Sequence, residues 1–133
     1  MGSGASIVAV TTNSDLVLQA NGTGKIDAQV PIMISQFDTV TNGSPAISLT
    51  TPFTKIDSSG GTVTLTLAAG ETGQIKVITM TTAGNTATLT QSNGNLAASV
   101  ATSIAFDAVG ETATLMYQGN KWVVLGTQGA TIS

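Results

Sequence analysis

The sequence predicts an all-β protein, an antiparallel β-sandwich or barrel-like domain carrying an extended amino-terminal β arm. Three observations carry this prediction. Apolar residues alternate with Thr and Ser at period two through most of the second half. Gly-containing turns separate the alternating runs at nearly even spacing. No segment sustains a 3.6-residue apolar stripe, so little helix is expected.

Gly61-Thr62-Val63-Thr64-Leu65-Thr66-Leu67 alternates throughout. Val63, Leu65 and Leu67 share one face and Thr62, Thr64 and Thr66 the other, the mark of a half-buried strand. In Gln74 to Met80, Ile75 and Val77 oppose Ile78 and Met80, so this strand is expected in mid-sheet, covered on both sides. Alternation then sets Ala87 and Leu89 inward, followed by Ile104 and Phe106. Ala113, Leu115 and Tyr117 come next, and Trp122 and Val124 close the series. The runs are separated by Ser58-Ser59-Gly60-Gly61, Ala69 to Gly73, Ala83-Gly84-Asn85, Asn93-Gly94-Asn95, Val109-Gly110-Glu111 and Gln118-Gly119-Asn120. Gly119-Asn120 lies between two strongly alternating runs and predicts a tight hairpin. Gly84-Asn85-Thr86-Ala87-Thr88-Leu89 resembles Gly110-Glu111-Thr112-Ala113-Thr114-Leu115, either a short internal duplication or convergence on one turn-strand pattern. Leu96 to Ser103 is rich in Ala and Ser and reads as a loop or one helical turn.

The first part of the chain differs. Ile7 to Val10 and Leu16 to Leu18 read as short strands. After Asn21-Gly22-Thr23-Gly24, residues 25–34 read as extended chain. Pro31 cannot donate a ladder hydrogen bond and places this stretch at an edge or outside the sheet. Asn42-Gly43-Ser44-Pro45 marks a boundary. Residues 1–43 are read as an arm or small β-lobe and 44–133 as the main domain.

Charge is sparse. Only 8% of the 133 residues are charged, with four Lys, no Arg and a net charge of -3, against a typical charged fraction of about 25%. Phosphate backbones and anionic membranes are met by clustered Lys and Arg, so neither nucleic acid nor a membrane surface is an expected partner. At 41% hydrophobic residues the chain has enough apolar surface to fold. No stretch approaches the ~20 apolar residues of a membrane helix. Free monomers usually stay apart through charged surfaces. A neutral surface of Thr, Ser, Asn, Gln and Gly suits a protein tiled against copies of itself or a scaffold.

The composition also bears on chemistry. His and Cys are absent, which removes the commonest general base and the two best transition-metal ligands. No catalytic residue, cofactor site or metal site is expected. Asp107 and Glu111 are the closest acidic pair; turn chemistry explains them better than a paired-carboxylate hydrolase. Asn21-Gly22-Thr23 and Asn42-Gly43-Ser44 match the glycosylation pattern but read as Asn-Gly turns. Gly2 with Ser6 fits the myristoylation pattern, but a flexible Gly/Ser start explains so short a motif better. Tyr117 and Trp122 face each other across the last hairpin, as a core anchor or as a platform for a sugar.

Two segments carry a family resemblance. Asp15-Leu16-Val17-Leu18-Gln19-Ala20-Asn21-Gly22-Thr23-Gly24-Lys25-Ile26 resembles a strand-turn-strand phrase of phage tail-fibre and other virion proteins. The stretch from Gly73-Gln74-Ile75-Lys76 to Gly119-Asn120-Lys121-Trp122 resembles β-rich virion proteins of marine and cyanobacterial phages. The resemblance implies a tailed-bacteriophage virion structural protein on the particle exterior. The short chain is most similar to small capsid decoration (cement) proteins. That implies a homotrimer on the capsid surface, with the major capsid protein as partner. A host-recognition module binding glycans, such as a fibre, knob or horn, is the alternative. Ile7, Val8, Val10, Leu16 and Leu18 are the expected assembly interface, because apolar residues on an arm with little core of its own need partners.

Overall fold

The structure is a computed structural model and describes residues 15–20, 22–97 and 102–133. The chain divides into two compact units, Met1–Met33 and Ile34–Ser133. Residues 34–43, which the sequence reading assigns to the arm, lie in the second unit.

The second unit is a sandwich of two mixed sheets. Its elements are β1 (Phe37–Val40), β2 (Phe53–Asp57), β3 (Val63–Leu65), β4 (Ile75–Thr82), β5 (Ala87–Thr90), α1 (Gln91–Gly94), β6 (Ser103–Phe106), β7 (Thr112–Gln118), β8 (Lys121–Gln128) and β9 (Thr131–Ile132). One sheet has the order β1-β2-β4-β7-β8 and the other β3-β5-β6-β9. All-β is as expected; the sheets are not closed into a barrel. Antiparallel throughout is corrected. β1-β2, β2-β4 and β3-β5 are parallel, whereas β4-β7, β7-β8, β5-β6 and β6-β9 are antiparallel.

The parallel pairs have one cause. The turns at 58–61 and 83–86 join strands of opposite sheets, so they are not hairpins. β2 leads into β3 across the sandwich, and the chain returns as β4 beside β2 before crossing again to β5. A parallel neighbour needs a crossover connection, and the strand of the facing sheet supplies it. Residues 37–90 thus wind as three stacked coils. The first is β1 and the segment around Ala46, which bridges Thr66 in parallel. The second is β2 and β3, and the third is β4 and β5.

Stacked turns hold the coils in register. Asn42 Nδ2 donates to the Gly60 carbonyl at 3.0 Å. The buried Ser58 hydroxyl accepts from the backbone amides of Gly84 and Asn85, each at 3.2 Å, and Asn85 Nδ2 donates to the Ser58 carbonyl at 3.0 Å. Any side chain at Gly84 would crowd the backbone of Ser58 and Ser59. Inward residues then fall in lines across the parallel ladders. Val40, Ile56 and Met80 are cross-strand neighbours in one sheet, and Leu65 neighbours Leu89 in the other. All five are buried.

The later strands close the third coil with antiparallel neighbours. Two residues, Gly119 and Asn120, connect β7 to β8, with Gly119 at φ 72° as a tight hairpin turn requires. The inward residues expected on β3, β5, β6 and β7 and at Trp122 are buried, as are Ile78 and Met80 of β4, and Val124 packs against the core. The two copies of the Gly-x-Thr-Ala-Thr-Leu pattern each lead from a turn or bend into a strand, β5 in one sheet and β7 in the other, but only Gly110 takes a positive φ. The expected turn at Asn93-Gly94-Asn95 is α1 and its exit. Thr90 caps it by accepting from the Asn93 amide, and Asn95 ends it in the left-handed conformation.

The expected β arm is corrected as far as the structure describes it. Residues 15–20 and 22–36 contain no strand. Leu16 to Leu18 and residues 25–34 enter none of the described ladders.

Candidate functional site

Three of the five expected interface residues, Ile7, Val8 and Val10, lie outside the described residues, as does the Gly2-Ser6 pattern. Leu16 and Leu18 are 49% and 54% exposed. They begin a run of exposed apolar side chains that continues through Val17, Ile26, Val30, Ile32, Met33 and Ile34. Uncovered apolar side chains gathered on one segment are the kind of surface that associates.

The one ion pair among the described residues is a feature that sequence reasoning missed. Lys76 on β4 is 0% exposed, and its Nζ lies 3.6 Å from Asp38 Oδ1 on β1. The ammonium also donates to the Thr51 carbonyl at 2.5 Å. Asp38 accepts from the Ser48 amide at 2.9 Å and from the hydroxyls of Thr51 and Thr54, each at 2.7 Å. Burial alone would raise the Asp38 carboxyl. The bonds from Ser48, Thr54 and Thr51, with the Lys76 charge, outweigh it and hold the carboxyl below its ordinary value. Burial pushes Lys76 down, opposed by the Asp38 charge. No buried side-chain polar atom among the described residues lacks a partner. The cluster therefore ties the first coil to the third through the chain at 48–54. A parity signal was available: Lys76 alternates onto the face of Ile78 and Met80, and Asp38 onto that of Val40.

Trp122 and Tyr117 meet edge to face at 5.2 Å between ring centroids, as a core pair. Trp122 is 0% exposed, Tyr117 6%, and the Trp122 indole N–H donates to the Ala68 carbonyl at 2.8 Å. Neither ring offers a face to a sugar. Glu111 accepts from the amides of Asp107 and Ala108 at 2.6 and 3.1 Å. The acidic pair thus sits in turn chemistry, and Glu111 alone of the two lines a shallow groove of about 360 Å3 with Gln128 and Gly129. A second groove, about 520 Å3, lies between Leu49-Thr50 and the loop from Ala69 to Gln74, with Glu71 as its one charged residue. Asn42 sits in a tight turn closed by reciprocal bonds between the Thr41 and Ser44 backbones. Among the described residues, no three His, Cys, Asp or Glu side chains gather where a metal could bind. No helix among them is long and apolar enough to cross a membrane.

The chain matches no protein-family model and no curated protein.

The other notable surface is the outer face of the five-stranded sheet. Phe37, Phe53 and Val77 are cross-strand neighbours there, as are Ile75 and Met116, and Met116 and Val123. Phe37 and Ile75 are about half exposed, and the Lys55 ammonium lies 3.5 Å over the Phe37 ring. The sequence reading expects β4 to be covered on both sides. Among the described residues its outer face is only partly covered, with Ile75 46% exposed.

Proposed function

We propose that the chain is a virion structural protein, a capsid decoration (cement) protein that stabilises a tailed-phage head from outside by bridging capsid subunits, without catalysis. The observation that carries this reading is the run of exposed apolar side chains from Leu16 to Ile34, attached to a β-sandwich with few charges. Such side chains gain about 25 cal/mol for each Å2 of apolar surface removed from water. Little of that energy is Coulombic, so it holds across changes of salt outside a cell. The resemblance of residues 15–26 and 73–122 to virion proteins gives the class of scaffold. The sandwich acts as a rigid cover, with the partners being the major capsid protein and other copies of this chain, as a homotrimer.

A glycan-binding fibre or knob remains the alternative. It loses the aromatic platform of Tyr117 and Trp122, whose rings are in the core.

Counting copies in purified particles tests the proposal. Many copies spread over the head are expected; a few copies at one vertex or at the tail would overturn the decoration role. Deleting residues 1–20 is expected to leave a folded sandwich that no longer occupies heads, and full occupancy by that variant would contradict the role given to the arm.

A further inference from the structure

Residues 26–34 have the patterning of a strand and no strand partner among the described residues. Ile26, Ala28, Val30, Ile32 and Ile34 fall on one face at period two, and Asp27, Gln29, Pro31 and Met33 on the other. Each of these residues is exposed, and none enters a described ladder. An amphipathic strand alone in water leaves its apolar face uncovered and its backbone groups bonded only to water, free to join a ladder.

The second unit offers the complementary feature. β1 is the terminal strand of the five-stranded sheet, paired on one side with β2 and with no described partner on the other. Edge strands of monomers are commonly blocked by Pro or Lys, and β1 carries neither. Its one charge, Asp38, is engaged within the sandwich by Lys76 and three further donors. The coils already stack in parallel, so the sheet can continue past β1.

Connectivity decides whose strand is added. Only Ser35 and Gln36 separate Ile34 from β1. Parallel addition to the chain's own β1 needs a crossover of about a dozen residues or more. An antiparallel hairpin through two residues needs a turn with positive φ, which favours Gly, Asn or Asp, and Ser-Gln supplies none of these. A strand from another molecule meets neither obstacle. Pro31 suits this role, because a strand added at the end of a sheet has one free edge on which a missing N–H costs nothing.

We infer that residues 26–34 of one copy add as a strand to the β1 edge of a second copy, so that the chain self-associates by arm exchange. Passed head to tail, the exchange closes into a ring; made reciprocally, it gives a two-fold pair. The inference stands on these two surfaces and not on the virion reading. A protein that decorates heads but does not self-associate would sink this inference and the homotrimer while leaving the decoration role standing. One that self-associates but is absent from particles would sink the virion reading alone.

The test uses the full chain, whose lack of Cys makes introduced thiols unique. Val30→Cys and Thr39→Cys are purified separately, one of them isotopically heavy, mixed, and treated with a short bis-maleimide. A covalent heterodimer is expected in clear excess over the control pair of Val30→Cys with Val109→Cys, which is exposed on the turn before β7. Val30→Asp is expected to weaken association by roughly 10- to 100-fold, read by light scattering across a dilution series. The same variant should leave the melting transition of the dilute protein in place. A protein that is monomeric at every concentration overturns the inference. So does equal cross-linking in the two pairs, or an assembly that Val30→Asp leaves intact.

Discussion

Residues 63–67 and residues 26–34 share one pattern and meet opposite fates. Val63, Leu65 and Leu67 alternate with Thr and are fully buried, with β3 paired to β5. Ile26, Ala28, Val30, Ile32 and Ile34 alternate as regularly and are exposed, in no described ladder. Alternation specifies which face a strand would bury; a neighbouring edge decides whether the strand forms. At 63–67 that edge is supplied by the same chain two turns later. At 26–34 no described strand supplies it.

Substitutions can break this comparison, and the largest effects belong to the sandwich. Asp38→Ala leaves the fully buried Lys76 ammonium without its counter-charge, and about 3–5 kcal/mol of unfolding free energy should be lost in urea titrations. Lys76→Met should cost less, because Asp38 keeps the Ser48 amide and two hydroxyls. Leu65→Ala removes a core side chain and should cost about 2–5 kcal/mol by the same measurement. Gly70→Ala is next. Its methyl would lie 2.7 Å from the Trp122 ring and 2.6 Å from Gln74 Oε1, and overpacking of this kind costs about 1–3 kcal/mol. Ile32→Ala, at a site 77% exposed, should change dilute-protein stability by less than about 0.5 kcal/mol.

Acid sharpens the account of the buried pair. The folded-state value of Asp38 lies below its ordinary 3.8. Its contribution is therefore complete above that pH and drains away as pH falls through the lower folded-state value. Asp57, held down first by its bond from the Ser59 hydroxyl, titrates with the same sign at the surface. Asp38→Asn should flatten the fall in melting temperature below pH 3.8 more than Asp57→Asn does. Equal flattening would mean that the interior pair carries no special weight.

The strands from β3 to β8 are legible in the sequence, because apolar residues recur at period two in each, most plainly where Thr or Ser fills the other face, as in β3, β5 and the start of β7; β9, two residues long, is not. Nor are β1 and β2. Phe37-Asp38-Thr39-Val40 and Phe53-Thr54-Lys55-Ile56-Asp57 carry charges within short runs, and only the pairing of Asp38 with Lys76 shows why a charge is tolerated inside. Sheet direction is illegible for another reason. A Gly turn at 58–61 or 83–86 looks the same locally whether the next strand pairs in the same sheet or crosses to the facing one. The bonds that decide it, Asn42 to Gly60 and Ser58 to Gly84 and Asn85, link turns well apart in sequence. The arm's apolar character is plain in the sequence, but only the fold shows that residues 26–34 enter no ladder among the described residues. Trp122 and Tyr117 could have been platform or core, and burial assigns them to the core.

Amide hydrogen exchange at two concentrations of the full chain tests the central claim most directly, by following residues 26–34 and 63–67 together. The amides of 63–67 should be protected at both concentrations. Those of 26–34, apart from Pro31, should exchange freely in dilute solution and become slow when the protein is concentrated. Free exchange of 26–34 at every concentration, or protection that persists on dilution to monomer, would contradict strand exchange between copies.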